Sequence, residues 1–309
     1  MSGNHAVVSI GTNSTRLLVV RGSGDSLETI AWRSTGTRLG EKLRDAGKLD
    51  REAVARTLAV VDEYVAQIGE LGADCVAIAT SAMRRATDGV SFAREVERRI
   101  GVPLEILSGE REAELSYRGA TASYHGGERV GVLDVGGGSA EFACGRGGHV
   151  EASVSCEIGA VRLSEAIPAL LGASVPGEPA ELERKARAYA AAHLGPLRTV
   201  PPVAMTFAVG GTAFNAAMIL EDADRDSLDG AVLTRDDLTA LARRFLALDA
   251  AARRAQPRIS AQRADIFPAG LFIVDTSLDI LGLDRCTLSH ADLLYGYLLE
   301  TTNGFAPES

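Results

Sequence analysis

Two stretches of this 309-residue chain share one pattern: Ser9-Ile10-Gly11-Thr12-Asn13-Ser14-Thr15-Arg16-Leu17 and Asp134-Val135-Gly136-Gly137-Gly138-Ser139-Ala140-Glu141-Phe142. They lie 125 residues apart (134 − 9). In each, a short turn of glycine and small polar residues separates two apolar runs, the signature of a β-hairpin with a buried face. Alternating strand-like and helix-like segments follow both copies. A unit repeated at that distance is too long for a solenoid and fits two domains of similar fold facing each other. The length agrees, because 309 residues exceed what a single core usually fills.

The first turn is more polar than a hairpin requires. Asn-Gly would suffice, yet Gly11 is followed by Thr12, Asn13 and Ser14, whose hydroxyls and amide can converge on one small volume, as a phosphate-holding turn needs. On this stretch alone a decorated surface turn fits equally well. Net charge is −9 and the pI is near 5.2, which argues against electrostatic attachment to nucleic acid or an anionic membrane. Any polyanion site must therefore rest on local basic residues. No basic region followed by an apolar core opens the chain, and charges break the apolar runs well short of about 18 residues, so a soluble, cytoplasmic protein is expected. Cys75, Cys144, Cys156 and Cys286 stand singly and read as reduced, buried thiols. The five histidines are dispersed, and neither a zinc site nor a catalytic histidine is expected.

Between the two copies the sequence predicts a strand around Leu27–Arg33 and a polar segment over Thr35–Lys48. A helix over Arg51–Leu71 follows, capped by Asp50 and closed by Gly72, with Val54, Leu58, Val61, Val65 and Ile68 at helical spacing. A strand over Cys75–Ala79, a hydroxyl-bearing turn at Thr80 and Ser81 and a helix with Arg84 and Arg85 come next. "FAREVERRIG" reads as a helix, "PLEIL" as a strand and "GEREAELSYRGATASY" as a helix to about Tyr124. After the second hairpin, a strand is expected near Val150–Ser155, then the helical "GAVRLSEAIPALL", a loop with Pro176 and Pro179, and a helix over Glu181–Leu194. "AMTFAVGGTAFNAAMIL" reads as strand, Gly210-Gly211-Thr212 turn and helix, which would point backbone amides at a ligand. From Arg235 onward the chain reads as mostly helical, divided by Pro257 and Pro268. The domains are expected at 1–124 and 125–309.

Taken in order, "SIGTNSTRLLVV", "ATSAMRRATDG", "LSGEREAELSYRGA", "LDVGGGSAEFACG", "SCEIGAVRLSEA", "AVGGTAFNAA" and "RADIFPAGLFIVDTSLDILG" resemble the exopolyphosphatase / guanosine pentaphosphate phosphohydrolase (Ppx/GppA) family over nearly the whole chain. The resemblance implies an α/β fold of two ribonuclease-H-like domains, of the actin, hexokinase and sugar-kinase superfamily, with the active site in the interdomain cleft. A short two-domain member is implied, one that lacks an additional helical phosphohydrolase-type domain.

The same resemblance implies the site. Hydrolysis of a phosphoanhydride needs a water held in line, neutralised phosphoryl oxygens and a carboxylate that takes the water's proton. Glu112 matches the family's catalytic glutamate. Gly11, Thr12, Asn13 and Ser14 form the first phosphate turn, and Gly136, Gly137, Gly138 and Ser139 the second. Asp134 and Glu141, flanking that second turn, match the family's ligands for Mg²⁺, with Mn²⁺ a possible substitute. Arg16, Arg84 and Arg263 stand where the family has arginines along the path of the substrate's phosphates, and Gly210, Gly211 and Thr212 resemble the superfamily's turn near a nucleotide. The implied activity is metal-dependent release of orthophosphate from the end of inorganic polyphosphate. Hydrolysis of guanosine pentaphosphate and non-catalytic sensing of polyphosphate or an alarmone are the alternatives, and a homodimer is a possible assembly. Two departures stand out: Ser9 occupies the place of the family's usual aspartate, and "HADLLYGYLLE" differs from the glycine-and-arginine version in many relatives.

Overall fold

The computed structural model describes residues 3–23, 26–43, 47–172 and 179–302. Its first lobe is built on a five-stranded sheet. Strands β1 (Asn4–Ile10), β2 (Thr15–Ser23) and β3 (Ser26–Thr35) run antiparallel as a meander, and β4 (Ala73–Ala79) and β5 (Leu104–Ile106) add in parallel on the other side of β1, giving the order β3-β2-β1-β4-β5. Parallel neighbours need a crossover, supplied by helix α1 (Arg51–Leu71) between β3 and β4 and by α2 (Ser81–Arg85) and α3 (Gly89–Ile100) between β4 and β5. Helix α1 starts where the Asp50 carboxylate accepts from the amides of Glu52 and Ala53, and it stops at Gly72 in the left-handed region, φ 57°. Its buried stripe is broader than the sequence spacing suggests. Val54, Leu58, Val61 and Val65 face one cluster, while Val60, Tyr64 and Ile68 face another under β1 and β2.

The second lobe repeats the plan. Strands β6 (Val130–Val135), β7 (Ala140–Arg146) and β8 (His149–Cys156) form the meander, and β9 (Met205–Val209) and β11 (Arg285–Leu288) add in parallel. Short β10 (Val232–Thr234) sits on the far edge, so the order is β10-β11-β9-β6-β7-β8. Without β10 this is the order of the first sheet. Even the turns agree, since Gly11 donates to Ser14 O and Gly136 to Ser139 O, both at 3.0 Å. The two halves are thus one ribonuclease-H-like α/β topology used twice. Helices α5 (Ala160–Ala166) and α6 (Pro179–His193) cross from β8 to β9. Helices α7 (Gly210–Leu220), α8 (Arg235–Leu246), α9 (Ala250–Arg254), α10 (Ala261–Ala264) and α11 (Phe267–Leu281) complete this lobe around one large apolar core.

From Arg235 onward the chain is mostly helical, as its sequence reads. The structure adds β10 and β11, three and four residues long, too short for a period-2 pattern to show. Two details differ from the sequence reading. Helix α4 (Gly109–Thr121) ends before Tyr124. "GAVRLSEAIPALL" breaks after Ala166, where Pro168 opens a 3-10 turn. Pro176 lies outside the described residues, and Pro179 opens α6.

The last helix, α12 (Leu293–Thr302), returns to the first lobe. Leu293, Leu294 and Leu298 pack with Val7, Leu18, Val20 and Leu115. Its backbone meets that of α4 without side chains between them: a Cβ on Gly296 would lie 1.9 Å from the Leu115 carbonyl oxygen, and one on Gly119 would lie 2.3 Å from that of Asp292. Glu300 then pairs with both Arg111 and Arg118 of α4.

Candidate active site between the two turns

The hairpin turns face each other across a narrow cleft. A Cβ on Gly137 would lie 3.1 Å from Asn13 Cβ, and one on Gly138 would lie 2.6 Å from both Thr12 Oγ1 and Ser81 Oγ. Only glycines allow this approach, and a cavity of about 90 Å³ is left between the turns. Each turn has its carbonyls tied away from the cleft. Thr12 O and Asn13 O accept from the amides of Gly40 and Arg38, while Gly136 O and Gly137 O accept from Ala160 and Val161 at the start of α5. With those carbonyls held by other amides, the hydroxyls of Thr12 and Ser81 stand against Gly138; turns of this kind bind anions through their free amides and hydroxyls.

Register explains how opposite charges meet there. Asp134 is directly opposite Glu141 across β6 and β7, so both carboxylates stand on one face of the sheet. The equivalent pair in the first lobe is Ser9 opposite Arg16. One structural position therefore offers two acids from one lobe and a hydroxyl with a guanidinium from the other. Glu112, in the first turn of α4, joins from a third direction and is buried. Arg84, at the end of α2, donates to Glu112 Oε1 and to the Leu107 carbonyl.

Burial and mutual repulsion dominate the acids. Desolvation, against the pull of Arg84, pushes Glu112 up to about 7. It pushes Asp134 up to about 6, against Arg16. Glu141 is pushed well above the usual carboxylate range, by burial first and then by Glu112 and Asp134. Ser116 Oγ donates to Asp134 at 3.4 Å and Ser155 Oγ to Glu141 at 3.0 Å, which only partly offsets this. Three hydroxyl or amide oxygens around the cleft, Ser9 Oγ, Ser81 Oγ and Asn13 Oδ1, are buried with no hydrogen-bond partner. Buried polar atoms are seldom left so, and these point to a polar ligand.

Every residue singled out from the sequence except Arg84 lines this cavity: the two turns, Arg16, Glu112, Asp134, Glu141, Gly210, Gly211, Thr212 and Arg263. Arg84 reaches the same place through Glu112. Its neighbour Arg85 instead lies among Arg162, Glu157 and Glu165. Gly210, at φ 82°, lets the Asp134 carboxylate approach, since a Cβ there would lie 2.6 Å from Asp134 Oδ1. Arg263 donates to Ser14 Oγ at 3.3 Å and lies over Gly211, where a Cβ would be 2.1 Å from its Nη1. Arg16 is held by Asp292 at 2.5 Å.

Two residues at the site were not assigned from the sequence. Ser81 lines the cavity and was visible only as part of a polar turn. Asp292, in the C-terminal "HADLLYGYLLE", holds Arg16.

Asp134 and Glu141 supply hard oxygen donors, a set that suits Mg²⁺, which typically takes one or two carboxylates and completes its shell with water and phosphate oxygens. Among the described residues no group of three or more His, Cys, Asp or Glu is arranged to hold a metal. The cysteines are free, and burial raises the thiol of each. No described helix is long and apolar enough to cross a membrane.

Comparison with known proteins follows the same outline. The profile of the Ppx/GppA phosphatase family matches residues 18–303. The chain is 32% identical over 309 residues to an uncharacterized protein of Streptomyces coelicolor, covering 95% of this chain and 89% of that one. It is 26% identical over 308 residues to a guanosine-5'-triphosphate,3'-diphosphate pyrophosphatase of Vibrio vulnificus, covering 96% of this chain but only 59% of that relative's length. Among solved structures, an Aquifex aeolicus Ppx/GppA family member superposes with a TM-score of 0.79 at 27% identity, over 100% of both chains.

Proposed function

Because this chain belongs to the Ppx/GppA phosphatase family, we propose that it is a metal-dependent exopolyphosphatase, which binds the end of an inorganic polyphosphate in the interlobe cleft and releases orthophosphate. The observation that carries this reading is a buried carboxylate with a raised pKa, Glu112, set beside two opposed anion-binding turns. The terminal phosphoryl group enters between the turns, where the amides and hydroxyls of Thr12, Asn13, Gly137, Gly138 and Ser81 hold its oxygens. Water attacks the terminal phosphorus and gives its proton to Glu112, and the bridging P–O bond breaks with its electron pair left on the shortened chain. Arg84 keeps Glu112 aimed and partly ionised. Arg16 and Arg263 neutralise the charge that grows on the leaving phosphate. Asp134 and Glu141 would hold Mg²⁺, which when bound screens the phosphoryl oxygens from these acids.

The test is orthophosphate release from long-chain polyphosphate, with and without Mg²⁺ or Mn²⁺. Absence of release under all conditions would sink the reading. A second substrate, guanosine pentaphosphate, belongs in the same assay because the Vibrio relative's name describes a pyrophosphatase of that nucleotide.

Ser9 sets a further expectation. It occupies the position equivalent to Asp134 and its hydroxyl lacks a partner, so the first lobe offers the metal no charge. Ser9→Asp should lower the Mg²⁺ concentration giving half-maximal activity. An unchanged metal titration would make Ser9 a structural residue.

A further inference from the structure

Beyond Arg16 and Arg263 the cleft opens into a second cavity of about 280 Å³, whose walls include Trp32, Phe214, Asn215 and Arg225. The two cavities share Asn13, Ser14, Arg16, Gly210, Gly211 and Arg263 as a common wall. Arg225 lies in a 3-10 turn of the second lobe, Arg225–Ser227. Its guanidinium carbon is 3.7 Å from the ring centroid of Phe214 in α7 and 4.4 Å from that of Trp32 in β3. It is thus wedged between an aromatic ring of each lobe.

Stacking leaves the guanidinium's N–H groups unspent. Among the described residues none accepts a hydrogen bond from Arg225 and no carboxylate pairs with it. Asp292 is committed to Arg16, and Asp226 and Asp229 are exposed. Other arginines around the cleft are paired: Arg38 and Arg254 with Asp265, and Arg258 with Asp222 and Asp224. Arg225 and Arg263 are both pulled down to about 10, chiefly by desolvation and then by neighbouring arginines. Three guanidiniums with one paired carboxylate, lining a cavity continuous with the phosphate turns, lack an anion. The arginine fork matches phosphate oxygens two at a time.

We propose that Arg225 binds the phosphates of the substrate beyond the one cleaved, and that its place between Trp32 and Phe214 makes this cavity a reader of phosphate rather than of a nucleobase. The proposal rests on the reading that the terminal phosphate enters between the turns. A base recognised here would need an aromatic face to stack on, and the facing surfaces of these two rings are already covered by the guanidinium. The cavity thereby favours a chain of phosphates over a nucleoside.

The test compares Arg225→Gln and Arg225→Lys with the native protein. Arg225→Gln should raise KM for long-chain polyphosphate by about tenfold or more, the usual weight of a charge-assisted hydrogen bond, with kcat little changed. The dependence of KM on ionic strength should weaken. KM for guanosine pentaphosphate should rise less, so that the preference between the two substrates narrows. Arg225→Lys, which keeps the charge but loses the fork and the planar stacking, should fall between the two proteins and covers the case in which the glutamine variant does not fold. An unchanged KM, a fall confined to kcat, or an equal loss for both substrates would overturn the assignment. If the native protein releases no orthophosphate, the hydrolase reading fails first. Calorimetric binding of tripolyphosphate then decides for Arg225: weaker binding by the variants supports the site, and equal binding removes it.

Discussion

Glu112→Gln is expected to slow orthophosphate release by about a thousandfold while leaving polyphosphate binding measurable. The size follows from the loss of a positioned general base, typically 10²–10⁴ in rate, and the retained binding from the fact that the turns and arginines are untouched. Stability gives an independent readout. Burial raises the Glu112 carboxyl from 4.5 to about 7 in the folded protein, so the folded state holds this proton more tightly than the unfolded chain. The associated stability is fully present below about pH 4.5 and is lost as the pH rises through about 7. That loss is on the order of 3 kcal/mol for this group. Melting temperature of the native, metal-free protein should therefore fall between pH 5 and pH 8, and the glutamine variant should show a shallower fall. A variant with native turnover would move the base elsewhere. Equal slopes would mean that Glu112 is solvated enough to ionise freely.

The second large effect is expected at Gly159, far less conspicuous than the glycines of the turns. It precedes α5, whose first amides hold the carbonyls of Gly136 and Gly137. A Cβ there would lie 2.4 Å from the carbonyl carbon of Gly137 and 2.5 Å from both its oxygen and the Gly138 nitrogen. These are backbone atoms, and no rotamer change relieves the clash. Gly159→Ala must push the second turn toward the first or tilt α5 away. Displacements of about 1 Å at a reacting centre cost on the order of a hundredfold in rate, and overpacking costs about 1–3 kcal/mol. We expect kcat to fall by about that factor and the melting temperature to drop by several degrees. An alanine variant that matches the native protein in both would show that the support behind the turn yields without consequence.

Much of this was legible in the sequence because it is local or repeated. The duplicated hairpin needed only the comparison of nine residues with nine, and it led to the repeated strand order of the two sheets. Asp50 and Gly72 marked the ends of α1 through chemistry confined to one turn each. Glu112, Asp134, Glu141 and the turn residues were found through motifs, and the fold brings them to one cavity. What the sequence hid is non-local. Asp292 meets Arg16 across 276 positions, and Arg225 finds Trp32 and Phe214 from other elements. Ser9 opposite Arg16 acquires meaning only beside Asp134 opposite Glu141, a comparison of registers rather than of residues. The short strands β10 and β11 were missed because three or four residues carry no period.

The return of α12 to the first lobe bears on how the chain is made. Closing a loop of the 276 positions between Arg16 and Asp292 costs roughly 5 kcal/mol of chain entropy by the logarithmic estimate, and that cost falls due before Leu293, Leu294 and Leu298 cover Val7, Leu18 and Leu115. During synthesis the first lobe must therefore wait, with that apolar face open, until the second lobe has been threaded through. The first copy of the topology thus borrows part of its core from the far end of the chain. A fragment of residues 3–124 should melt without a cooperative transition, and a sharp transition in that fragment would show that α12 is a late ornament rather than the closing piece of the first core.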